Sequence, residues 1–195
     1  MIAYELTRGL AYRRIRHPEM HWYTRSIPLV ITCTVSAAIF FLPSPPPLLG
    51  KDGLVATSLA VISTLPGFYF AGLAAVATFS GINMDAVMPA PAPTADVKIA
   101  GTKVTIDLSR RQFLSYLFSY LVLLSFGLCV VSLAMSAASP SLVQLHASLL
   151  EFQNGHVIWM TCRIGFIISY IAVAASILVT TLHGMFFLTE RIHQP

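Results

Sequence analysis

Four long runs of apolar residues dominate the pattern of the chain. The clearest covers residues 113–138, twenty-six positions without a charged side chain, directly after Arg110 and Arg111. As an α-helix this run would be about 39 Å long, more than the roughly 30 Å of a bilayer's hydrocarbon core. Residues 54–79 form a second uncharged run of the same length. The pattern predicts helices that cross a membrane.

The first and last runs are less regular. Residues 27–42 are few for a span, but the long side chain of Arg25 can lie along the helix and extend it into the headgroup region. Residues 157–188 contain two ionisable groups, Arg163 and His183. An ionisable residue inside a span is a functional candidate by default. Each of the two also lies near an end of the run, from which its side chain can reach water.

The predicted fold is an all-α membrane protein, a single domain over residues 1–195. Its four transmembrane helices cover about 27–42, 54–79, 113–138 and 157–188. The composition agrees, since 56% of the residues are hydrophobic and only 10% are charged, against about 25% charged in ordinary soluble domains.

The basic residues determine the predicted orientation. Ten Lys and Arg residues lie near the termini and in the connection 80–112, whereas the connections 43–53 and 139–156 contain Lys51 alone. Basic residues are retained on the cytoplasmic side of a membrane. We therefore predict that both termini and residues 80–112 are cytoplasmic, and that the protein lies in the bacterial inner membrane. The formal charge of +4 follows from this bias, so no direct contact with nucleic acid is expected.

Shorter elements are predicted around the spans. Apolar Ile2, Leu6 and Leu10 recur every fourth residue among arginines, which is typical of an amphipathic helix lying on the inner surface. Apolar and polar residues alternate on both sides of Gly101, which predicts a small β-hairpin that must lean on another surface. The segment 139–156 predicts a second interfacial helix, on the outer side.

Two local signals refine the spans. Pro66, followed by Gly67, predicts a break near the centre of the second span, because proline has no N–H to donate to the carbonyl four residues earlier. Ser109, with Gln112 three residues later, predicts a capping box at the start of the third span.

Small side chains form a ridge on two of the spans. In lipid, such ridges let a neighbouring backbone approach closely, and we predict a role in helix packing or in oligomer contacts. The two spans that carry the ridges run in the same direction through the membrane, so they could pack as a parallel pair within one subunit or between subunits. Their members are Ser63, Gly67, Ala71 and Ala75 in the second span, and Ala172, Ser176, Thr180 and Gly184 in the last.

The sequence offers no catalytic or metal-binding pattern. The apolar runs contain no paired carboxylates, and nucleophile or phosphate-binding motifs are missing. The three cysteines lack the spacing of a zinc site, and in His17-Pro-Glu-Met-His21 a proline stands where the zincin motif has its glutamate. We expect a non-enzymatic protein without cofactor or metal.

Two non-enzymatic functions fit these features. One is a membrane subunit of a larger bacterial complex, whose inner basic residues Lys98, Lys103, Arg110 and Arg111 contact a soluble partner. The other is a small homo-oligomeric channel whose pore is lined by serines of the third span, namely Ser115, Ser119, Ser125 and Ser132. A lipid-modifying enzyme is a distant third.

The chain combines four spans, a basic amphipathic start and a basic inner connection that runs into Ser109-Arg-Arg-Gln-Phe-Leu-Ser-Tyr-Leu117. In this combination it resembles the KwaA family, the membrane subunits of bacterial Kiwa anti-phage systems. The resemblance extends over the whole chain as an architecture. It implies an inner-membrane homo-oligomer, a tetramer, that senses phage at the envelope and works with a cytoplasmic DNA-binding partner, KwaB. No functional residue is carried over from it.

Overall fold

The computed structural model describes residues 8–44, 46–50, 53–78, 82–99 and 102–191. Four of its helices are long and apolar enough to cross a membrane, which makes the chain a multi-pass membrane protein. In chain order the elements are a 3-10 helix Arg8–Arg14, a π-helical segment Trp22–Ser26, α1 Ile27–Phe41, α2 Leu54–Ile62, α3 Leu65–Thr78, α4 Ile82–Asp85, β1 Thr94–Ile99, β2 Thr102–Asp107, α5 Arg110–Ala137, α6 Ser139–Leu150, α7 Gly155–Phe186 and a second π-helical segment Phe187–Arg191.

The four predicted spans are confirmed, with shifted ends. The first begins earlier than predicted, at Trp22, because the π-helical segment runs directly into α1. The third begins at Arg110, where the predicted capping box forms. The Gln112 N–H donates to the Ser109 hydroxyl at 3.3 Å, and the Ser109 N–H donates to the Gln112 side-chain oxygen at 3.1 Å.

The predicted break in the second span is also confirmed. Helix α2 ends at Ile62, two turn residues follow, and α3 begins at Leu65. Pro66 cannot donate to the carbonyl of Ile62, so the regular ladder is interrupted at this point.

Helix α5 lies at the centre of the described chain. It packs against α2 and α3 on one side, against α7 on another, and against the 3-10 helix. Its inward-facing Leu114, Leu117 and Leu121 are at most 1% exposed. The third and fourth spans are each 39% buried, whereas the first two are 17% buried and therefore peripheral.

Hydrogen bonds between side chains join three of the spans. The Tyr170 hydroxyl on α7 lies 2.7 Å from the Ser58 hydroxyl on α2 and 2.9 Å from the Ser132 hydroxyl on α5. A third bond joins the hydroxyls of Tyr69 and Thr181 at 2.7 Å. Polar side chains in a span find such partners because lipid offers none.

The two ridges of small residues have different surroundings. On α7, Thr180 and Gly184 are buried, and a Cβ added at Gly184 would lie 3.0 Å from the Leu117 side chain of α5. On α3, Gly67 and Ala71 are exposed, and nothing lies within 4 Å of a Cβ built at Gly67. Within the described chain the ridges therefore do not pair with each other. An oligomer contact stays a prediction.

The start of the chain differs from the predicted surface helix. Residues 8–14 form a 3-10 helix that packs along α5, so close that a Cβ at Gly9 would lie 3.1 Å from the Ser119 carbonyl oxygen. Tyr12 is fully buried, and its ring stacks on that of Tyr120 at 5.2 Å. Burial of this aromatic ring outweighs the amphipathic pattern. Ile2 and Leu6 of the predicted helix lie outside the described residues.

The helices have two distinct ends. One end carries the 3-10 helix, both strands and the segment Phe187–Arg191, and we call it the hairpin end. The opposite end carries α6, whose presence confirms the predicted helix after the third span, while its position at a membrane interface stays a prediction. Both ends of the described chain thus lie at the hairpin end, as an even number of spans requires.

Candidate functional site

The hairpin is attached firmly to the rest of the protein. Strands β1 and β2 pair antiparallel from Thr94 opposite Asp107 to Ile99 opposite Thr102. Arg16 adds a bridge on the other side of β1: its N–H donates to the Thr94 carbonyl at 2.9 Å, and the Thr94 N–H donates back at 3.1 Å. Ala95 is buried in the core. The predicted hairpin is confirmed, and the surface on which it leans, which the sequence left open between this protein and a partner, belongs to the protein itself; Gly101 lies outside the described residues.

The two faces of the hairpin differ in polarity. The apolar side chains Ala95 and Ile106 face the core. On the other face, Asp96 accepts from Arg16 Nη2 at 3.1 Å and from the Thr105 hydroxyl at 2.8 Å. The Arg16 side chain is 70% exposed, so this ion pair stabilises the protein by less than about 1 kcal/mol. The backbone bridge to Arg16 and the burial of Ala95, rather than this ion pair, therefore hold the hairpin in place.

One edge of the sheet is open. Because both backbone groups of Thr94 bond to Arg16, the alternation of an antiparallel ladder turns the backbone groups of Lys103, Thr105 and Asp107 away from β1. In the part of the chain that the structure describes, nothing pairs with these groups along β2. An open edge of this kind can accept another strand.

The predicted partner-contact residues whose side chains the structure describes differ in exposure. Lys98 lies opposite Lys103 in the hairpin register. Lys103 is exposed, whereas the side chain of Lys98 lies outside the described residues. Arg110 is only 7% exposed.

Arg111 binds groups of the protein itself. Its Nε and Nη2 donate to the two carboxylate oxygens of Asp85 at 2.7 and 3.1 Å. Its Nη1 donates to the carbonyls of Val76 and Ala77, at 3.2 Å each, where α3 ends. A cation at this place stabilises carbonyls that have no partner within their own helix. The Arg111 guanidinium also holds the pKa of Asp85 below its usual value.

Two other cations at the hairpin end are open to solvent. Arg13 and Arg14 are exposed on the 3-10 helix that packs along α5. Their excess of positive charge was visible in the sequence, but their position beside α5 follows from the burial of Tyr12, which a helix on the membrane surface does not predict. Like Lys103, they are exposed cations at the hairpin end.

Arg163 and His183 lie about one hydrocarbon thickness apart. Twenty residues of α7 separate them, which is about 30 Å of helix, and the residues between them carry no charge. Gly184, which follows His183, packs against Leu117 of α5, so His183 and Leu117 lie at a similar depth along the two helices. From Leu117, about 30 Å of helix reaches Ala137, the last residue of α5. An apolar layer of one hydrocarbon thickness that begins at this contact therefore fits within both helices.

The two ionisable residues have different surroundings. At the hairpin end, the His183 ring lies 4.2 Å from the ring of Tyr23 and 6.0 Å from that of Phe113. At the opposite end, Arg163 lines a cavity of about 220 Å³ whose other walls are largely apolar. These walls come from residues 48–49 and from the side chains of Met135, Leu142, Trp159, Cys162 and Phe166.

Two of the four serines proposed to line a pore are buried inside the chain. Ser125 and Ser132 are fully buried, and their hydroxyls donate to the carbonyls of Leu121 and Leu128 at 2.7 Å. Ser115 and Ser119 border a groove at the hairpin end, beside Gly9. The serines therefore do not follow one continuous path through the described chain.

Neither potential metal ligands nor comparisons with known proteins assign a function to the chain. Within the described residues, no three His, Cys, Asp or Glu side chains are arranged so that they could hold a metal ion. Comparison of the chain with protein families, with characterised proteins and with solved structures gave no match.

Proposed function

We propose that the chain is a non-enzymatic inner-membrane subunit of a bacterial multi-protein complex, and that it holds a soluble cytoplasmic partner at its hairpin end. The observation that carries this proposal is the open edge of β2 beside exposed positive charges. Arg16 and the core fix the hairpin in place, so a partner would meet a preorganised strand.

The chemistry of this surface defines the partner. Outward backbone groups of Lys103, Thr105 and Asp107 favour a partner that adds a β-strand. Lys98 and Lys103 on the hairpin, and the exposed Arg13 and Arg14 at the same end of the helices, favour acidic side chains on that partner. Arg110 and Arg111, also predicted as contacts, are not assigned to this surface in the proposal, because one is buried and the other binds Asp85.

The resemblance to KwaA extends the proposal. In that form, the subunit forms a homo-oligomer, a tetramer, senses phage at the envelope and passes the signal to a partner like KwaB. The alternative is a homo-oligomeric channel. Burial of Ser125 and Ser132 inside the single chain favours the partner-binding function over a pore lined by the third span.

The test measures capture of a defined partner. Soluble proteins encoded beside this chain are tested one by one for binding to the detergent-purified membrane protein. We expect one of them to bind, and the double variant Lys98→Glu/Lys103→Glu to bind at least about tenfold more weakly, since buried charge contacts at interfaces cost about 2 kcal/mol or more. The control is Arg25→Glu, an exposed cation outside the hairpin.

Strand addition is tested separately from charge. Lys103→Pro removes both the charge and the outward N–H, whereas Lys103→Ala removes only the charge. If the partner adds a strand, Lys103→Pro weakens binding further than Lys103→Ala, by roughly threefold to tenfold for one lost hydrogen bond. Equal binding by the two variants contradicts strand addition. Ion flux from the protein alone in liposomes would instead support the channel.

A further inference from the structure

We infer that the cavity beside Arg163 is a binding site for one anionic phospholipid, with its phosphate on the guanidinium and an acyl chain among the apolar walls. This site lies at the end of the helices opposite the hairpin. It is independent of partner binding.

Arg163 has an unusual environment for a charged side chain. It lies eight residues into α7, about 12 Å along the helix, and is partly buried. Among the described residues it forms no ion pair and no hydrogen bond. Among the Asp, Glu, Lys and Arg residues that the structure describes at this end, Arg163 is accompanied by Glu151 alone. Glu151 is exposed and lies beyond the end of α6. A half-buried cation that has no anionic partner among the described residues favours an anionic ligand.

The level of Arg163 in the membrane matches a phosphate group. One hydrocarbon thickness, about 30 Å of α7, separates Gly184 from Ile164, the residue that follows Arg163. With the boundary of the hydrocarbon at the hairpin end set at His183 and Gly184, the guanidinium lies where the hydrocarbon ends and the headgroups begin at the opposite end. Trp159, one turn further out, is the type of side chain that occupies this boundary. A planar guanidinium can donate two parallel hydrogen bonds to a phosphate.

The cavity beside Arg163 provides the apolar part of the proposed lipid site. Its volume of about 220 Å³ is too large for a single water molecule, and its lining by Met135, Leu142 and Phe166 is apolar. Helix α6 forms one side of it, so the cavity is closed on that side by protein rather than by bulk lipid. An acyl chain attached to the phosphate can enter such a space at little cost, because it exchanges one apolar environment for another. A free phosphate ion would use the arginine alone.

The test counts lipids that stay bound to the purified protein. The full chain is exchanged into detergent with either phosphatidylglycerol or phosphatidylcholine, and bound lipid is measured by native mass spectrometry. We expect one phosphatidylglycerol per chain, held about fivefold more tightly than phosphatidylcholine, the value of about one favourable basic contact at a membrane surface. Equal retention of the two lipids would overturn the proposal.

Three variants separate the two halves of the site. Arg163→Gln should abolish the preference for phosphatidylglycerol, and Arg163→Lys, which retains the charge, should keep part of it. Leu142→Trp fills the cavity and leaves the arginine in place, and should reduce retention of the lipid. If Leu142→Trp retains the lipid fully, no acyl chain occupies the cavity and the proposal is wrong.

Two controls exclude simpler explanations. Arg25→Gln removes an exposed cation elsewhere on the chain and should leave the preference unchanged; a comparable loss in this variant would show non-specific attraction and overturn the proposal. Inorganic phosphate at millimolar concentration should not displace the lipid, and displacement would show that the arginine binds a phosphate ion alone. Circular dichroism and elution volume in detergent verify that each variant is folded.

Discussion

The thiol of Cys129 donates a hydrogen bond to the carbonyl of Ile62, with 3.3 Å between sulfur and oxygen. This carbonyl is the one that Pro66, four residues later, leaves without a backbone donor. In lipid no water is present to replace the missing N–H. The third span therefore satisfies the break in the second, and the two helices are joined at the point where one of them is weakest.

This relationship predicts the result of a double-mutant cycle. Cys129→Ala removes the donor and should lower the free energy of unfolding by about 1 kcal/mol, whereas Cys129→Ser, which keeps a donor, should lower it less. In a Pro66→Ala background the backbone N–H is restored, so Cys129→Ala should cost little. Unfolding in mixed micelles, followed by circular dichroism, measures all four states. Equal costs in the two backgrounds would show that the thiol does not serve this carbonyl.

A second prediction concerns the Tyr170 hydroxyl, which lies within hydrogen-bond distance of Ser58 and Ser132. Tyr170→Phe removes both hydrogen bonds between spans and should destabilise the protein by about 1–2 kcal/mol, since single bonds between membrane helices average about 0.6 kcal/mol. The same unfolding assay measures the change.

Tyr12→Phe is the matched control for this substitution. Tyr12 is fully buried, but its hydroxyl has no hydrogen-bond partner among the described residues. Removing a buried, unsatisfied hydroxyl should be neutral or stabilising by up to about 1 kcal/mol. If both variants lose stability equally, the loss reflects the missing oxygen's packing rather than hydrogen bonding.

The Asp85–Arg111 pair predicts a dependence on pH. Because the pKa of Asp85 is lowered in the folded protein, the pair stabilises the fold above the usual aspartate value, and this contribution is lost as the pH falls below about 4. The thermal midpoint in detergent should therefore be insensitive to Asp85 between pH 8 and pH 5.

The variant Asp85→Asn isolates this effect. It should lower the midpoint at pH 7, and the difference from the native protein should shrink as the pH falls below about 4. Asp107→Asn is the control, because Asp107 is an exposed carboxylate without an ion pair among the described residues. A constant difference between Asp85→Asn and the native protein over the whole pH range would mean that the ion pair contributes nothing.

The ridge on α3 predicts the oligomeric state of a glycine variant. Since nothing within the described chain lies near a Cβ at Gly67, Gly67→Leu should leave the folded subunit intact and gain about 0.8 kcal/mol in helix propensity. If Ser63, Gly67, Ala71 and Ala75 form the contact between subunits, the same change separates the oligomer. Light scattering after gel filtration in detergent measures the mass.

Gly165→Leu provides the comparison, because position 165 on α7 is equally open and does not belong to either ridge. It should leave the oligomer unchanged. An oligomer that persists in Gly67→Leu would exclude this ridge as the contact and would direct attention to the other exposed faces of the first two spans.

The predicted features that the structure confirms depend on nearby residues alone. A span needs only a run of apolar side chains, the break needs only Pro66, and the capping box needs only Ser109 and Gln112. The hairpin likewise follows from alternation around one glycine. Each of these signals acts within a few residues, so it can be read without knowing what lies beside it.

The features that the sequence did not predict depend on residues far apart in it. The ion pair of Arg111 depends on Asp85, 26 positions earlier, and its bonds to Val76 and Ala77 depend on where α3 ends. The burial of Tyr12 depends on where Tyr120 lies. The ridge on α7 meets Leu117 of α5, although its sequence pattern matches the ridge on α3 equally well.

The bridge between Arg16 and Thr94 has a consequence for how the protein is made. The residues joined at this place are about 80 positions apart, as the Arg16–Asp96 contact shows. At about 5–20 residues per second, the ribosome needs roughly 4–16 s to synthesise the intervening chain. The first segment therefore leaves the ribosome, and two helices enter the bilayer, before the strand that fastens it exists. Until then this segment has to wait unfastened, which gives a targeting factor or a chaperone time to bind it.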